Sequence, residues 1–353
     1  MGLVIKGLKF LLAMMENKDK KHSFENGYKA TFKSADTEEW LDKVWTRPIG
    51  YILAVFFRKI HFTPNAVTIL SMIIGAASAF FFASGSYRYC GTYGLEMNLI
   101  AVVMLAVADF LDSADGQLAR MTNHRTQLGR ILDGAASEVW FIPIYIALVI
   151  RFYYHHSIEF QWMGIEDSVQ NTWIFTVALF LACLFSGFVC HSGQCSLADY
   201  YRQIHLLIVN GKAGSELDTS AQQQSIYDSI PWKGNVLRKA FLKTYIGYTA
   251  KQERWTPRFQ ELKAVFKEKF GSQDKVPENI KQEFRRRSLP LMTMANILTF
   301  NTRAIFLYAF SLLDMPWAYF VFEIVVMSGL KKYMNYRHEK LCTDIIKEIN
   351  KIG

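Results

Sequence analysis

Two stretches of the chain, Ala66–Ser84 and Thr172–Cys190, are apolar throughout and carry no charged side chain. Each is close to the roughly 20 residues that a helix needs to cross a bilayer, so both predict membrane spans. Four further apolar runs are interrupted by charge. Met97–Leu111 runs into Asp109 and Asp112, and Ile131–Ile150 contains Asp133 and Glu138. Leu289–Leu313 contains Arg303, and Met315–Leu330 contains Glu323. The pattern predicts an all-α integral membrane protein with six transmembrane helices, four of them holding ionisable groups that lipid alone does not tolerate.

Positive charge alternates with the loops as a six-span count requires. The N-terminal arm, the Ser113–Arg130 connection, the Ser192–Ser288 segment and the tail after Leu330 are rich in Lys and Arg. The intervening loops are poor: Gly85–Glu96 has Arg88 alone, and Phe152–Asn171 has none. By the positive-inside rule both termini are cytoplasmic, at the inner membrane if the source is bacterial. Residues 40–62 mix Trp40, Trp45, Tyr51, Phe56 and Phe57 with Arg47, Arg58 and Lys59 at helical spacing, which reads as an interfacial helix. Residues 1–15 read as a surface-lying amphipathic segment rather than a signal peptide.

The expected organisation is a cytoplasmic arm with the interfacial helix over residues 1–62, followed by a membrane core of spans 1–4 over 63–191. A basic cytoplasmic insert over 192–288, spans 5–6 over 289–330 and a cytoplasmic tail over 331–353 complete it. The insert has 17 Lys or Arg against 10 Asp or Glu, which keeps it on the cytoplasmic side. Its segments Asn235–Trp255 and Pro257–Phe270 interleave aromatic and basic residues at helical spacing, predicting helices laid against the bilayer or against the core.

Composition sharpens this picture in two places. A formal net charge of +9 points to nucleic acid or to an anionic membrane surface, and the apolar runs favour the membrane over nucleic acid. The five cysteines show no paired zinc-like spacing, so neither a zinc site nor a disulfide framework is expected.

The candidate chemistry lies where charge meets the second and third spans. Asp112, Asp115, Gly116, Ala119 and Arg120 stand at offsets 0, 3, 4, 7 and 8, one face of a helix leaving the second span. Gly129, Asp133 and Ser137 follow at four-residue steps on the third. Three carboxylates gathered at a membrane surface repel one another unless a cation sits among them. Hard carboxylate oxygens select Mg²⁺ or Mn²⁺, which in turn favour a phosphate or pyrophosphate ligand. Gly116 and Gly129 leave room for that ligand, and Arg120 offers it a forked donor.

The run Asp112-Ser-Ala-Asp115-Gly116-Gln-Leu-Ala119-Arg120, then eight residues, Gly129, three residues and Asp133, resembles the signature of the CDP-alcohol phosphotransferases. The resemblance implies that Asp112, Asp115 and Asp133 bind metal and that Gly116, Ala119 and Arg120 hold the CDP group. It further implies donor contacts from Thr126, Gly129 and Asn65, the last in a Pro64-Asn65 pair that opens the first span. The implied reaction is attack of an acceptor alcohol on a CDP-linked donor in phospholipid biosynthesis, with release of CMP and with Mg²⁺ or Mn²⁺ as cofactor. Membrane lipid and a second copy of the chain, as a homodimer, are further partners the family suggests.

One position departs from the signature. Where the family has its fourth aspartate, the presumed general base, this chain has Ser137, and serine does not deprotonate an alcohol unaided. Glu138 is adjacent, about 100° further round the helix, and a one-residue bulge brings it onto the face. Glu138 as base, Asp133 or metal chemistry in its place, and a catalytically inert scaffold or transporter all stay open. Asn296, Thr299, Asn301, Thr302 and Arg303 form a polar stripe in the fifth span, as a pocket lining or as interhelical hydrogen bonding. Arg151 is expected to snorkel to the far interface, and Glu323 calls for a partner that the sequence does not name.

Overall fold

The computed structural model describes residues 34, 36–123, 127–211, 215 and 217–352, except the side chains of residues 127, 128, 130–135, 237 and 352. The amphipathic segment expected at residues 1–15 and Thr126 lie outside the described residues. Among these, all regular structure is helical and no strand occurs. The chain divides into two compact units, Met1–Phe82 with Leu99–Ile144, and Ala83–Asn98 with Tyr145–Gly353.

In the first unit a π-helical turn, Asp42–Thr46, leads into α1 (Arg47–Lys59). Pro48 in its first turn and Arg58 and Lys59 in its last suit the two ends of a helix, and it buries Gly50, Tyr51, Ala54 and Phe57 on one side. Trp40, Trp45 and Phe56 remain exposed. After His61 at positive φ, Pro64 opens α2 (Pro64–Ala83). Ser71 and Ser78 in α2 donate back to the carbonyls of Thr68 (2.7 Å) and Gly75 (2.6 Å), so their buried hydroxyls are satisfied within the helix. Gly75 lies against the buried Trp140 ring so closely that a Cβ there overlaps the indole.

The long helices α3 (Tyr87–Thr122) and α4 (Gln127–Tyr154) carry the signature residues. Gly91, at φ 60° and ψ −137°, breaks α3 near its start, a conformation open to glycine and strained for other residues. Beyond that break, the roughly 30 residues of α3 to Thr122 rise about 45 Å, well beyond the roughly 30 Å of a hydrocarbon layer. Its last turns therefore have length to spare for a site outside the lipid.

In the second unit, α5 (Ser157–Met163) is followed by α6 (Val169–Phe185), which continues through a π-helical segment, Ser186–His191, into α7 (Ser192–Asn210). The apolar part of this rod leaves Val177, Leu181 and Phe188 exposed, as a lipid-facing surface does. The α7 part is buried instead, in a water-soluble style of core. Tyr201 and Ile204 of α7 meet Leu262 and Phe266 of α10 (Pro257–Phe270), Phe284 of α11 (Glu278–Ile297) and Ile345 of α14 (Ser328–Ile352). Helix α10 thus packs into the core, while α8 (Ser220–Ser229) and α9 (Val236–Trp255) form a neighbouring pair, with Phe241 and Tyr245 of α9 and Trp232 of the connection between them exposed.

Among the described residues four helices are long and apolar enough to cross a membrane: Pro64–Ala83, Tyr87–Thr122, Ala136–Tyr154 and Val169–Asn210. The stretch expected as a fifth span is divided by a break at Leu298 and Thr299 into α11 and α12 (Phe300–Leu312). At 13 residues α12 rises about 20 Å, short of a hydrocarbon layer. The sixth runs as α13 (Pro316–Val321), a π-helical segment Phe322–Met327 and α14, with Glu323 lowering its apolar character.

Candidate functional site

The signature residues of α3 lie on unbroken helix, so Asp112, Asp115, Gly116, Ala119 and Arg120 share one face over its last three turns. Asp115 is only 3% exposed, and Asp112, Gly116, Ala119 and Arg120 are half-buried. The Arg120 guanidinium folds back over Gly116, where an added Cβ would meet Nη1 and Nη2 at 3.5 Å. A side chain longer than alanine at 116 therefore competes with the arginine for its place. Asn65 sits half-buried in the first turn of α2.

Helix α1 holds the signature helix in position. Gln117 Nε2 donates to the Arg47 carbonyl (3.0 Å) and to Ser113 Oγ (3.2 Å), so both unspecified polar positions of the signature face α1. Thr46 Oγ1 donates to Asp109 Oδ2 (3.2 Å), and Arg47 is paired with Glu38 at 2.7 Å. Gly50 permits this approach, because a Cβ there would lie 2.7 Å from Ser113 Oγ and 2.9 Å from Gln117 Nε2. Ordinarily Gly→Ala inside a helix stabilises by about 1 kcal/mol. Here the sign is expected to reverse: Gly50→Ala should destabilise by about 1–3 kcal/mol through overpacking and lower turnover with it. Thermal unfolding in detergent checks this, and a stabilised Gly50→Ala would show that α1 does not clamp α3.

Gly129, Ser137 and Glu138 lie on α4 and are half-buried. The helix is α-helical from Gln127 to Tyr154 with no π-turn, so Ser137 remains four residues beyond Asp133 and Glu138 about 100° round from it. The bulge that would shift Glu138 is absent here, although π-helical segments do occur at 42–46, 186–191 and 322–327. The side chain of Asp133 lies outside the described residues. Among the described residues no three His, Cys, Asp or Glu side chains gather to hold a metal, which leaves Asp112 and Asp115 as the described pair. Their chemistry fits a hard divalent cation: a carboxylate as buried as Asp115 is costly unless positive charge compensates it.

The second unit contains a buried ionic centre that supplies the partner of Glu323. Glu323 Oε1 lies 3.6 Å from Arg303 Nη1 and 3.5 Å from His191 Nδ1. Its Oε2 accepts from Ser186 Oγ (2.9 Å) and from the Tyr145 hydroxyl, which is itself 2.9 Å from the Tyr319 hydroxyl and 3.1 Å from His191 Nδ1. Arg303 Nη2 donates to Gln194 Oε1 (2.5 Å), and Gln194 Nε2 in turn to the Glu323 carbonyl (3.1 Å). All of these side chains are buried, and Ser186, His191 and Glu323 sit on π-helical segments. Arg303 and Glu323 stood out in the sequence as charges in apolar runs. Tyr145, Tyr319 and Gln194 did not, since such residues are common in spans and at their ends.

Other members of the polar stripe make interhelical and local hydrogen bonds. Asn296 Oδ1 accepts from Arg202 Nε (3.1 Å), and Thr299 Oγ1 caps the Asn296 carbonyl (2.6 Å). Arg151 does not snorkel. It is 1% exposed, ion-paired with Asp314, and donates to Asn98 Oδ1 and the Ser311 carbonyl, each at 2.9 Å. Asp314, at positive φ in the turn before α13, also accepts from Ser86 Oγ (2.7 Å) and the Arg88 amide (2.9 Å). A buried counter-ion at the end of the helix removes the reason for the arginine to reach for water.

Comparison with known proteins agrees with the signature. Residues 61–201 match the family model of CDP-alcohol phosphatidyltransferase, which covers α2, α3, α4 and the rod into α7. An uncharacterized protein of Aquifex aeolicus (strain VF5) is 29% identical over 86 residues, 24% of this chain. The match spans 38% of the length of that relative. No solved structure matches. The family is one of transferases that move a phosphatidyl group from a CDP-alcohol to an alcohol, generally with a divalent metal, and is membrane-associated.

Proposed function

Starting from the CDP-alcohol phosphatidyltransferase domain at residues 61–201, we propose that this chain transfers a substituted phosphate from a CDP-activated donor to an alcohol in phospholipid biosynthesis, releasing CMP. The observation that carries the reading is the unbroken α3 face of Asp112, Asp115, Gly116 and Arg120, inside the matched segment. Asp112, Asp115 and Asp133 would hold Mg²⁺ or Mn²⁺, and the ion would supply Lewis-acid stabilisation of negative charge on phosphate. Arg120 grips a donor phosphate with its fork, Gly116 and Gly129 admit the nucleotide to the backbone, and Ala119, Thr126 and Asn65 complete its cradle. CDP-diacylglycerol with an inositol-type or other small alcohol is the preferred pair. A soluble donor of the CDP-ethanolamine type, with diacylglycerol or ceramide as acceptor, is the alternative.

Deprotonation of the acceptor falls to Asp133 or Glu138. The regular course of α4 supports Asp133, the residue on the same face as Ser137. Six spans, cytoplasmic termini, the five-part organisation from the 1–62 arm to the 331–353 tail, and a homodimer belong to the same reading. Ser137 favours the rival of an inert membrane scaffold or transporter that retained the fold.

The test is CMP release by purified protein in lipid with Mg²⁺ or Mn²⁺, from CDP-diacylglycerol, CDP-ethanolamine and CDP-choline in turn, across a panel of acceptors. Metal-dependent release from one donor, lost in Asp133→Asn, establishes the activity. Binding of CDP without release across the panel hands the reading to the scaffold.

A further inference from the structure

Two lysines meet around one tryptophan at the junction of the rod, α9 and α14, and the charge of a third, Lys332, acts on one of them. Lys251 Nζ stands 4.8 Å from the centroid of the Trp255 ring, one turn away on α9, and Lys331 Nζ, from the first turn of α14, stands 5.0 Å from the same centroid. A Cβ added at Gly193 would lie 3.3 Å from both Lys331 Nζ and Trp255 Cη2, so the absence of a side chain there is what lets the ammonium reach the indole. Burial pushes the Lys331 ammonium below the ordinary lysine range, and the charges of Lys251 and Lys332 push it further down.

Two ammoniums on one ring repel each other, and a ring face attracts each only weakly. Among the described residues none of the three lysines forms an ion pair with a carboxylate. Helix packing brings the cations together, and among the described residues it pairs none of them with a carboxylate. The position is also informative: Gly193 lies three residues past the apolar run ending at Cys190, and Lys331 follows directly on the one ending at Leu330. Both therefore sit at the depth where an apolar helix leaves lipid and meets headgroups. Lys251 and Trp255 belong to the insert, outside the segment matched to the transferase family.

We propose that Lys251, Lys331 and Lys332, with Trp255 and the open backbone at Gly193, form a binding site for a phosphate group that uses none of the residues of the aspartate site of α3. The group is the phosphate of an anionic lipid headgroup or that of a soluble phosphomonoester. Its binding fastens the insert to the end of the last membrane helix.

The experiment uses the full chain in uncharged detergent with EDTA, which removes divalent cation and keeps the aspartate site from holding phosphate. The melting temperature is followed while adding dioctanoyl phosphatidic acid, dioctanoyl phosphatidylcholine, glycerol 3-phosphate or inorganic phosphate in turn. Expected is a saturable rise with phosphatidic acid and none with phosphatidylcholine, because a ligand that binds only the native state raises its stability. An equal rise with glycerol 3-phosphate or inorganic phosphate assigns the site to soluble phosphate. A rise confined to the lipid assigns it to the headgroup. In Lys251→Gln/Lys331→Gln the apparent affinity should fall at least tenfold, and in Lys332→Gln, an exposed position that leaves packing alone, by a smaller factor. The idea is overturned if no phosphate raises the melting temperature, or if both variants respond as the unaltered protein does.

Discussion

Asp115→Asn should abolish metal-dependent CMP release, by on the order of 10²-fold or more, while leaving the protein as stable as before or more so. The first half follows from the role assigned to Asp115, since losing even the outer partners of metal ligands commonly costs about 10–100-fold. The second half follows from its burial. At 3% exposure its carboxylate carries a desolvation cost that asparagine, of nearly the same shape and with no charge, does not. The two effects have opposite signs, which separates a functional aspartate from a structural one. A structural aspartate, replaced by asparagine, loses stability and activity together. Melting curves with and without Mn²⁺ add a second readout: the cation should stabilise the unaltered protein and not the variant. Retained turnover in Asp115→Asn, or a large fall in melting temperature without added metal, would remove Asp115 from the metal site.

The candidate site was legible in the sequence because its residues are close together in the chain. Asp112 to Arg120 needs only the 3.6-residue period to be placed on one face, and α3 supplies that period without a break. Spans 1 and 4 were legible for a similar reason, since uninterrupted apolar character is a local property. What pattern reading could not supply is pairing over long separations. That Gly50 lies against Ser113, or that Arg151 finds Asp314 and Arg303 finds Glu323, depends on which helices meet, and hydropathy does not encode this. The snorkelling expected of Arg151 failed on that point. The interruption at Leu298 and Thr299 was also hidden, because those residues carry no glycine or proline and the stretch reads as one apolar run. Likewise α9 and α10 have similar mixtures of aromatic and basic residues. Only the fold shows that Phe259, Leu262 and Phe266 of α10 are buried while Phe241 and Tyr245 of α9 are exposed.

The second large effect is expected at the buried pair of Arg303 and Glu323. Glu323→Gln retains an oxygen able to accept from Tyr145 and Ser186, so its main consequence is to leave the Arg303 guanidinium buried without an anion. Removing one member of a buried ion pair typically costs about 3–5 kcal/mol, because the survivor keeps its desolvation penalty. The expected loss in melting temperature is roughly 5–15 °C for a chain of this size. Arg303→Met should cost as much for the converse reason, stranding Glu323 among hydroxyls and His191. The double variant Arg303→Met/Glu323→Gln strands neither charge, so its cost should fall well below the sum of the two singles, and the coupling in a double-mutant cycle should be large. Gln194 tempers this, since its Oε1 loses the Arg303 donor in the double variant and the cost does not vanish. A neutral Glu323→Gln would mean that Glu323 carries a proton in the native state. Arg303→Met would then be the mild substitution, and the centre would be a hydrogen-bonded network around a neutral carboxyl rather than an ion pair.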